Sequence, residues 1–154
     1  MKYAPEKTLN GTYGSLWIDD YYMAEVTGLE AKVSLEKTEV NQTGSLEKGY
    51  KITGMEGKGT VKLNKVTSYF IQKLSDNIKA GKTTVCTMIS LLDDPDSEGQ
   101  ERIKLTGCTF DELTLANWES KKLGEESVPF SFTSWEVMDV ISPLDTSAVA
   151  ASNQ

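Results

Sequence analysis

The fold of this chain is decided by two stretches of sequence, Leu29-Glu30-Ala31-Lys32-Val33-Ser34-Leu35-Glu36 and Met55-Glu56-Gly57-Lys58-Gly59-Thr60-Val61-Lys62-Leu63-Asn64. In both stretches the odd positions are apolar or glycine and the even positions are polar. Successive side chains of a β-strand point to opposite faces, so each stretch predicts a strand with one core face and one solvent face. Together they predict the arms of a long hairpin. Its polar face mixes both signs of charge with no catalytic constellation, which indicates a wet, inert surface.

Composition narrows the functional classes. The length of 154 residues predicts one domain with a real core. The formal net charge of −7 argues against a dedicated nucleic-acid binder, although an acidic wall can border DNA by repelling it. The chain has no histidine, so neither a Ser-His-Asp nor a Cys-His catalyst can be built within it. We therefore expect that the protein is not an enzyme.

Two cysteines, Cys86 and Cys108, fall in separate predicted strands. They are either a disulfide or reactive-thiol pair, or two small buried apolar side chains. The second interpretation is favoured because Cys86 lies in an apolar run, residues 85–89. No secretory leader and no apolar run of membrane-spanning length is recognised, so we expect a cytoplasmic origin with reduced thiols.

The rest of the chain predicts further strands and one helix. We expect a flexible arm at residues 1–12, a single β domain at 13–141 and a disordered tail at 142–154. Within the domain, strands are predicted at 15–18 and 21–26 (a short hairpin), 84–92, 101–106, 110–118 and 128–138. In the last strand the apolar phase changes, which predicts a β-bulge near Thr133 and Ser134. These elements predict a mainly β fold, an antiparallel sandwich or barrel with one flanking helix.

The helix is predicted over residues 68–80. Thr67 or Ser68 can cap its N-terminus, and Gly81 can end it in the left-handed conformation. A single apolar stripe is predicted to face the core: Phe70, Ile71, Leu74 and Ile78.

Between the two hairpin arms, residues 37–54 predict an unusually long connection. Such connections are typically functional or ordered by a partner, and a mobile surface loop is the alternative. The partner interpretation is favoured because Val40, Leu46, Tyr50 and Ile52 add apolar groups that a solvated loop does not need.

No motif for metal, phosphate or acid–base chemistry is complete. Residues 94–99 resemble the start of a calcium loop, but the twelfth position is Leu105 rather than Glu, so an acidic turn is favoured. Residues 54–60 lack the order of a phosphate loop, and Gly57 and Gly59 instead predict a bend or a group that closely approaches the backbone. The carboxylate pairs at 111–112 and 125–126 have no predicted pocket. No metal, cofactor or catalytic residue is therefore assigned.

Several motifs, in shared order, resemble the tail tube proteins of PBSX-type contractile prophage tails. The resemblance covers about residues 11–140 and rests on Glu39-Val40-Asn41, Gly44, Lys51-x-Thr53-Gly54-x-x-Gly57-x-Gly59-Thr60, Lys65-Val66-Thr67-Ser68-x-Phe70, Leu91-x-Asp93-Asp94, Glu101-Arg102 and Glu126-x-Val128-Pro129-Phe130-x-Phe132. It implies a structural protein that forms stacked hexameric rings, the hollow inner tube of a contractile phage tail or phage-tail-like particle. Long hairpins of neighbouring subunits would pair edge to edge around the lumen.

The resemblance also implies positions and partners. Eight residues would face the lumen: Glu30, Lys32, Ser34, Glu36, Glu56, Lys58, Thr60 and Lys62. Seven would contact a neighbouring subunit or ring: Val40, Asn41, Gln42, Thr43, Gly44, Leu46 and Tyr50. The implied partners are other copies of the chain, a sheath protein, and initiator or baseplate and terminator proteins, with DNA in the lumen only in a true phage and no membrane binding. Assembly would take place in the bacterial host cytoplasm. A secretion-system tube protein and, less favoured, a monomeric ligand-binding β-barrel are the alternatives.

Overall fold

The computed structural model of the chain describes residues 3–143. That part contains eight strands and one helix: β1 (Gly14–Ile18), β2 (Tyr21–Tyr22), β3 (Val26–Val40), β4 (Gly49–Asn64), α1 (Tyr69–Lys79), β5 (Cys86–Leu92), β6 (Glu101–Phe110), β7 (Glu125–Phe132) and β8 (Ser134–Asp139). Two short 3-10 turns, Pro5–Lys7 and Gly11–Tyr13, precede β1. The mainly β fold predicted from the sequence is confirmed. The predicted tail falls largely on residues 144–154, which lie outside the described residues.

The strands pair antiparallel in the order β2-β1-β5-β6-β7-β4-β3, and β8 also pairs with β6. The β7–β8 strand bends at Thr133, whose N–H donates to the carbonyl of Thr106 at 3.1 Å. Opposite the bend, Gly107 has φ 64°, and a Cβ there would collide with the Thr133 side chain. The β-bulge predicted near Thr133 and Ser134 is not found, because the pairing with β6 keeps the same register on both sides of the bend. The bend instead separates two sheets that share β6: β7 pairs in the sheet of β3 and β4, and β8 in the sheet of β1, β2 and β5. This change of sheet accounts for the change of apolar phase.

The core fills the space between these sheets and beneath α1. Its buried apolar members are Leu16, Ile18, Met23, Val61, Leu63, Phe70, Leu74, Cys86, Met88, Leu105, Cys108, Val128, Phe130 and Phe132. Two glycines of β4 make room for the aromatic side chains of two phenylalanines on β7. A Cβ at Gly57 or at Gly59 would lie 2.5 Å from the ring of Phe132 or Phe130, respectively. The close approach predicted for these glycines is thus confirmed.

Helix α1 covers one side of the core. Phe70 and Leu74 are buried, and Gly81 follows the helix with φ 71°, as predicted. Ser68 makes no side-chain cap bond, and its carbonyl accepts from the N–H of Gln72 at 3.0 Å. Ile78 is 54% exposed, so the predicted apolar stripe was too wide by this residue, which lies at the end where the helix leaves the core.

Two sequence predictions were wrong about extent. The predicted strand 110–118 does not form: β6 ends at Phe110, and residues 111–124 contain no helix or strand. The predicted long connection 37–54 is mostly strand, and only residues 41–48 join β3 to β4. The register skips Thr53 between the pairs Glu36–Gly54 and Lys37–Ile52. This bulge shifts the apolar phase of β4 and so hides the strand from a period-two search.

Candidate assembly surface

One face of the β3–β4 ribbon brings the predicted lumen-facing residues together. Cross-strand pairing places Glu30 opposite Thr60, Lys32 opposite Lys58 and Ser34 opposite Glu56. Glu36 and Lys62 extend the same face, on which every predicted residue is exposed except the half-buried Thr60. We call these eight residues the polar face.

Charges on the polar face are balanced by sign and by position. Three glutamates accompany three lysines. Lys32 pairs with Glu30 at 3.0 Å, and Lys58 pairs with Glu56 at 3.2 Å, in both cases along one strand. These neighbours offset the repulsion between Lys32 and Lys58, which lie directly opposite one another.

The opposite face of the ribbon carries large apolar side chains, and these extend beyond the part of the ribbon that packs on the core. Near the domain, Leu29 and Val33 pack against the core. Farther along, the same face continues into Leu35, Met55, Ile52 and Tyr50, which are 50%, 63%, 54% and 63% exposed. We call these four residues the overhang. Lys37 and Glu39, opposite Ile52 and Tyr50, add one charge of each sign to it. Four large apolar side chains exposed along one face are typical of a surface that another molecule covers.

Both edges of the ribbon carry unpaired backbone. Among residues 3–143, β3 pairs only with β4. β4 pairs with β7 only over residues 57–64, so its segment 49–56 presents a second free edge on the other side of the ribbon. Long free edges are a liability for a monomer because their N–H and C=O groups recruit further strands.

The predicted contact residues lie at the tip of the ribbon. Val40 is the last residue of β3, Tyr50 is the second residue of β4, and the others lie in the connection 41–48. All seven are exposed, and Leu46 has no protein neighbour covering its side chain, with 105% relative exposure.

At the opposite end of the ribbon, sequence reasoning missed a second exposed apolar set. Residues 111–124 join β6 to β7 and expose Leu115, Trp118 and Leu123 by 70%, 86% and 96%. A signal was available, because Leu115, Trp118 and Leu123 are large apolar side chains among polar and charged neighbours, but residues 110–118 were predicted as a strand.

A groove of about 360 Å³ opens between the ribbon and β6–β8. Its lining includes the apolar Leu29, Val33, Ile103 and Trp135 and the polar Ser90 and Glu101. Among the lining residues these are the two polar side chains that could orient a small ligand, which gives the ligand-binding barrel little support.

The acidic turn has a structural role. Asp94 is buried, and its carboxylate accepts from the N–H groups of Asn10 at 2.8 Å and Asp96 at 2.9 Å. It therefore fixes the segment before β1 to the turn after β5. Within residues 3–143, no cluster of His, Cys, Asp and Glu is arranged to hold a metal ion.

The two cysteines face each other on β5 and β6 as Cα partners, and both are buried and unlinked. The hydrogen-bonded neighbour Cys108 and burial both raise the pKa of the Cys86 thiol, which keeps it protonated. The preferred interpretation of two buried apolar side chains is confirmed.

Within the described residues 3–143, no helix has the length and apolar character required to span a bilayer.

Comparisons with known proteins agree with this geometry. A family model described as phage tail tube protein matches residues 1–139. The phage-like element PBSX protein XkdM of Bacillus subtilis (strain 168) is 35% identical over 144 residues, which cover 92% of this chain and 98% of that protein.

Two solved assemblies share the fold. A chain of the sheath–tube complex of an extracellular contractile injection system, PVC, in its extended state has a TM-score of 0.66 at 9% identity and covers 88% of this chain and 95% of its own. A chain of the anti-feeding prophage tube-terminating cap has a TM-score of 0.68 at 7% identity, over 91% and 97%. The chain therefore belongs to the phage tail tube protein family, among its PBSX-type members.

Proposed function

We propose that this chain self-assembles into hexameric rings, which stack to form the hollow inner tube of a contractile phage tail or phage-tail-like particle. As a tail tube family member it is a non-enzymatic structural component of such a particle. The observation that carries the finer proposal is the β3–β4 ribbon, whose apolar face extends beyond its own core and whose two edges are unpaired.

The free edges support a ring rather than an isolated dimer. They lie on opposite sides of the ribbon, so the β4 segment 49–56 of a first copy can pair with β3 of a second copy. The second copy's own segment 49–56 then remains free to pair with a third copy. A contact between two different surfaces repeats around an axis and closes when the rotation allows it. Antiparallel pairing continues naturally if all ribbons point the same way, because β3 and β4 run in opposite directions.

Within such a ring the polar face would line the lumen and the overhang would be covered by the neighbour. A charge-balanced wall has no net attraction for phosphate, so it avoids the salt-dependent hold of a basic surface. DNA would pass through the lumen in a true phage. The tip residues 41–48 would contact the adjacent ring.

Further partners follow from the same proposal. They are a sheath protein outside the tube, initiator or baseplate proteins at one end and a terminator at the other. The fold shared with a chain of a sheath–tube complex and with one of a tube-terminating cap supports these partner classes. Assembly in the bacterial host cytoplasm completes the proposal.

The test uses the overhang because its residues are exposed in a single copy. In the double variant Leu35→Asp/Met55→Asp we expect loss of rings and tubes, since the new charges would be buried at the subunit contact. The melting temperature of the monomer should stay within a few degrees of wild type, because both side chains are at least half exposed. Assembly is read by electron microscopy and sedimentation velocity.

The matched control is Ser34→Lys on the polar face, one residue from Leu35 and directly opposite Glu56. This added charge lies on the wet side of the ribbon and should leave rings intact. Rings in the double variant, or loss of rings in the control alone, would show that the two faces are assigned the wrong way round.

A further inference from the structure

The connection 111–124 exposes an apolar surface that the ring does not explain. Its members are Leu115, Trp118 and Leu123, which we call the base patch. Tryptophan is on average a highly buried residue, yet Trp118 is 86% exposed. Large apolar groups held this openly in a charged stretch favour contact with a partner.

The base patch lies at one end of the ribbon. Asp111 donates its N–H to the carbonyl of Pro129 at 2.9 Å, and the carbonyl of Gly124 accepts from the N–H of Lys65 at 2.8 Å. The Gly124 end of the connection is therefore fixed beside the last rung between β4 and β7, where Asn64 pairs with Glu125, whereas the Asp111 end is held farther along the ladder, at the rung where Pro129 pairs with Thr60.

The tip of the same ribbon carries a second apolar set, Val40 and Leu46, which we call the tip patch. These side chains are 39% and 105% exposed, and residues 41–46 carry no charge. The extended rise of a strand, about 3.4 Å per residue, places the tip roughly 50 Å from the base along β4.

Resting on the proposed stacking of rings, we propose that the tip patch of one copy docks on the base patch of a second copy in the adjacent ring. Two different patches at opposite ends of one rigid ribbon cannot meet within a chain. When a second copy is displaced along the ribbon axis by one ribbon length, its base patch can meet the tip patch of the first copy. This head-to-tail contact repeats without closing, as a filament requires.

The chemistry of both ends suits this contact. The uncharged tip buries no ionic group when it meets the base patch. Glu47 and Lys48 flank the tip, while Glu119 and Lys122 flank Trp118 and pair with each other at 3.1 Å. Each end thus has an apolar centre within a rim of mixed charge, the arrangement typical of protein interfaces.

Cross-linking between copies tests the contact directly. Protein carrying Leu46→Cys is mixed with protein carrying Leu115→Cys, Trp118→Cys or Leu123→Cys, assembled and oxidised. We expect a covalent heterodimer with at least one base variant and none from any variant alone, with Cys86 and Cys108 silent because they are buried. The proposal would be overturned if the mixed proteins assembled into normal tubes without forming any heterodimer, or if Leu46→Cys formed disulfide-linked dimers with itself.

Substitution separates stacking from ring closure. Leu46→Ser and Trp118→Ser should each give discrete rings and at least a tenfold loss of tubes in sedimentation and electron microscopy. Ile78→Ser, at the exposed end of α1, is the matched control and should form tubes normally. If the wild type forms rings and both variants still form as many tubes as the wild type, this docking is contradicted but the proposed function is not. That result would also be obtained if the base patch binds a sheath protein instead. Absence of rings from the wild type would contradict the proposed function itself.

Discussion

At the residue scale, the turn between β1 and β2 is tied to the helix through Asp19. Its carboxylate accepts from Lys73 Nζ at 2.7 Å and from the N–H of Thr87 at 2.9 Å. Burial raises the pKa of Asp19, but the bonds from Lys73 and Thr87 together with the charge of Lys73 outweigh it, and the net pKa is lowered. Three elements therefore depend on one ionised carboxylate.

This lowered pKa predicts a pH-dependent stability difference. A carboxyl group whose folded pKa lies below its unfolded value stabilises the protein above the unfolded value, near 3.8, and loses that contribution as pH falls through the folded value. We expect Asp19→Asn to lower the free energy of unfolding at pH 7 by about 1 kcal/mol or less, since the pair is partly solvated. The difference from wild type should shrink below pH 3.8 in denaturant titrations.

The control is Asp20→Asn, because Asp20 shares the left-handed turn with φ 66° and asparagine tolerates that conformation equally well. Equal effects at both positions, or a difference that persists in acid, would contradict the role given to the Asp19 carboxylate.

Two glycines of β4 illustrate what can be predicted for a single residue from the sequence. Gly57 and Gly59 interrupt an apolar alternation, and the prediction that something approaches the backbone there was correct. The identity of that group was out of reach because Phe130 and Phe132 lie on β7, far along the chain, and only the sheet order brings them over β4.

At the element scale, the end of β4 is fastened to β7 by Lys65 and Glu126. Their atoms Nζ and Oε1 lie 3.0 Å apart, and the Glu126 side chain is only 6% exposed. A buried carboxylate needs its partner, since an uncompensated buried charge costs more free energy than the pair contributes.

We expect Lys65→Met to lower the free energy of unfolding by about 2–3 kcal/mol, because it leaves Glu126 buried without its cation. The double variant Lys65→Met/Glu126→Met should recover most of that loss, since no charge remains to be desolvated. Urea unfolding of the three proteins measures both effects. A double variant no more stable than Lys65→Met would contradict this view of the pair.

Element boundaries show where period-two reasoning fails. The two alternating stretches correctly predicted the ribbon, but the bulge at Thr53 hid its outer half, and residues 111–118, predicted as part of a strand, form none. A sequence pattern reports which side chains are apolar, whereas what covers them depends on tertiary or quaternary neighbours. This is also why the base patch went unrecognised.

At the scale of the whole molecule, charge and apolar surface are distributed unevenly. The formal net charge is −7, yet the polar face is balanced, so the acidic excess lies elsewhere on the chain. The fold class and the tail tube family could be predicted from the sequence. The ring of edge-paired hairpins was implied by the resemblance and stays a proposal. The free edges and the overhang that support it could not be located from the sequence, because they depend on β7 covering only half of β4.

The most direct test of the central claim is a cryo-electron microscopy reconstruction of tubes assembled from the purified chain. We expect hexameric rings in which segment 49–56 pairs with β3 of the neighbour, the overhang is covered and the polar face lines the lumen. A reconstruction in which neighbouring ribbons do not pair, or in which the polar face points away from the lumen, would contradict it.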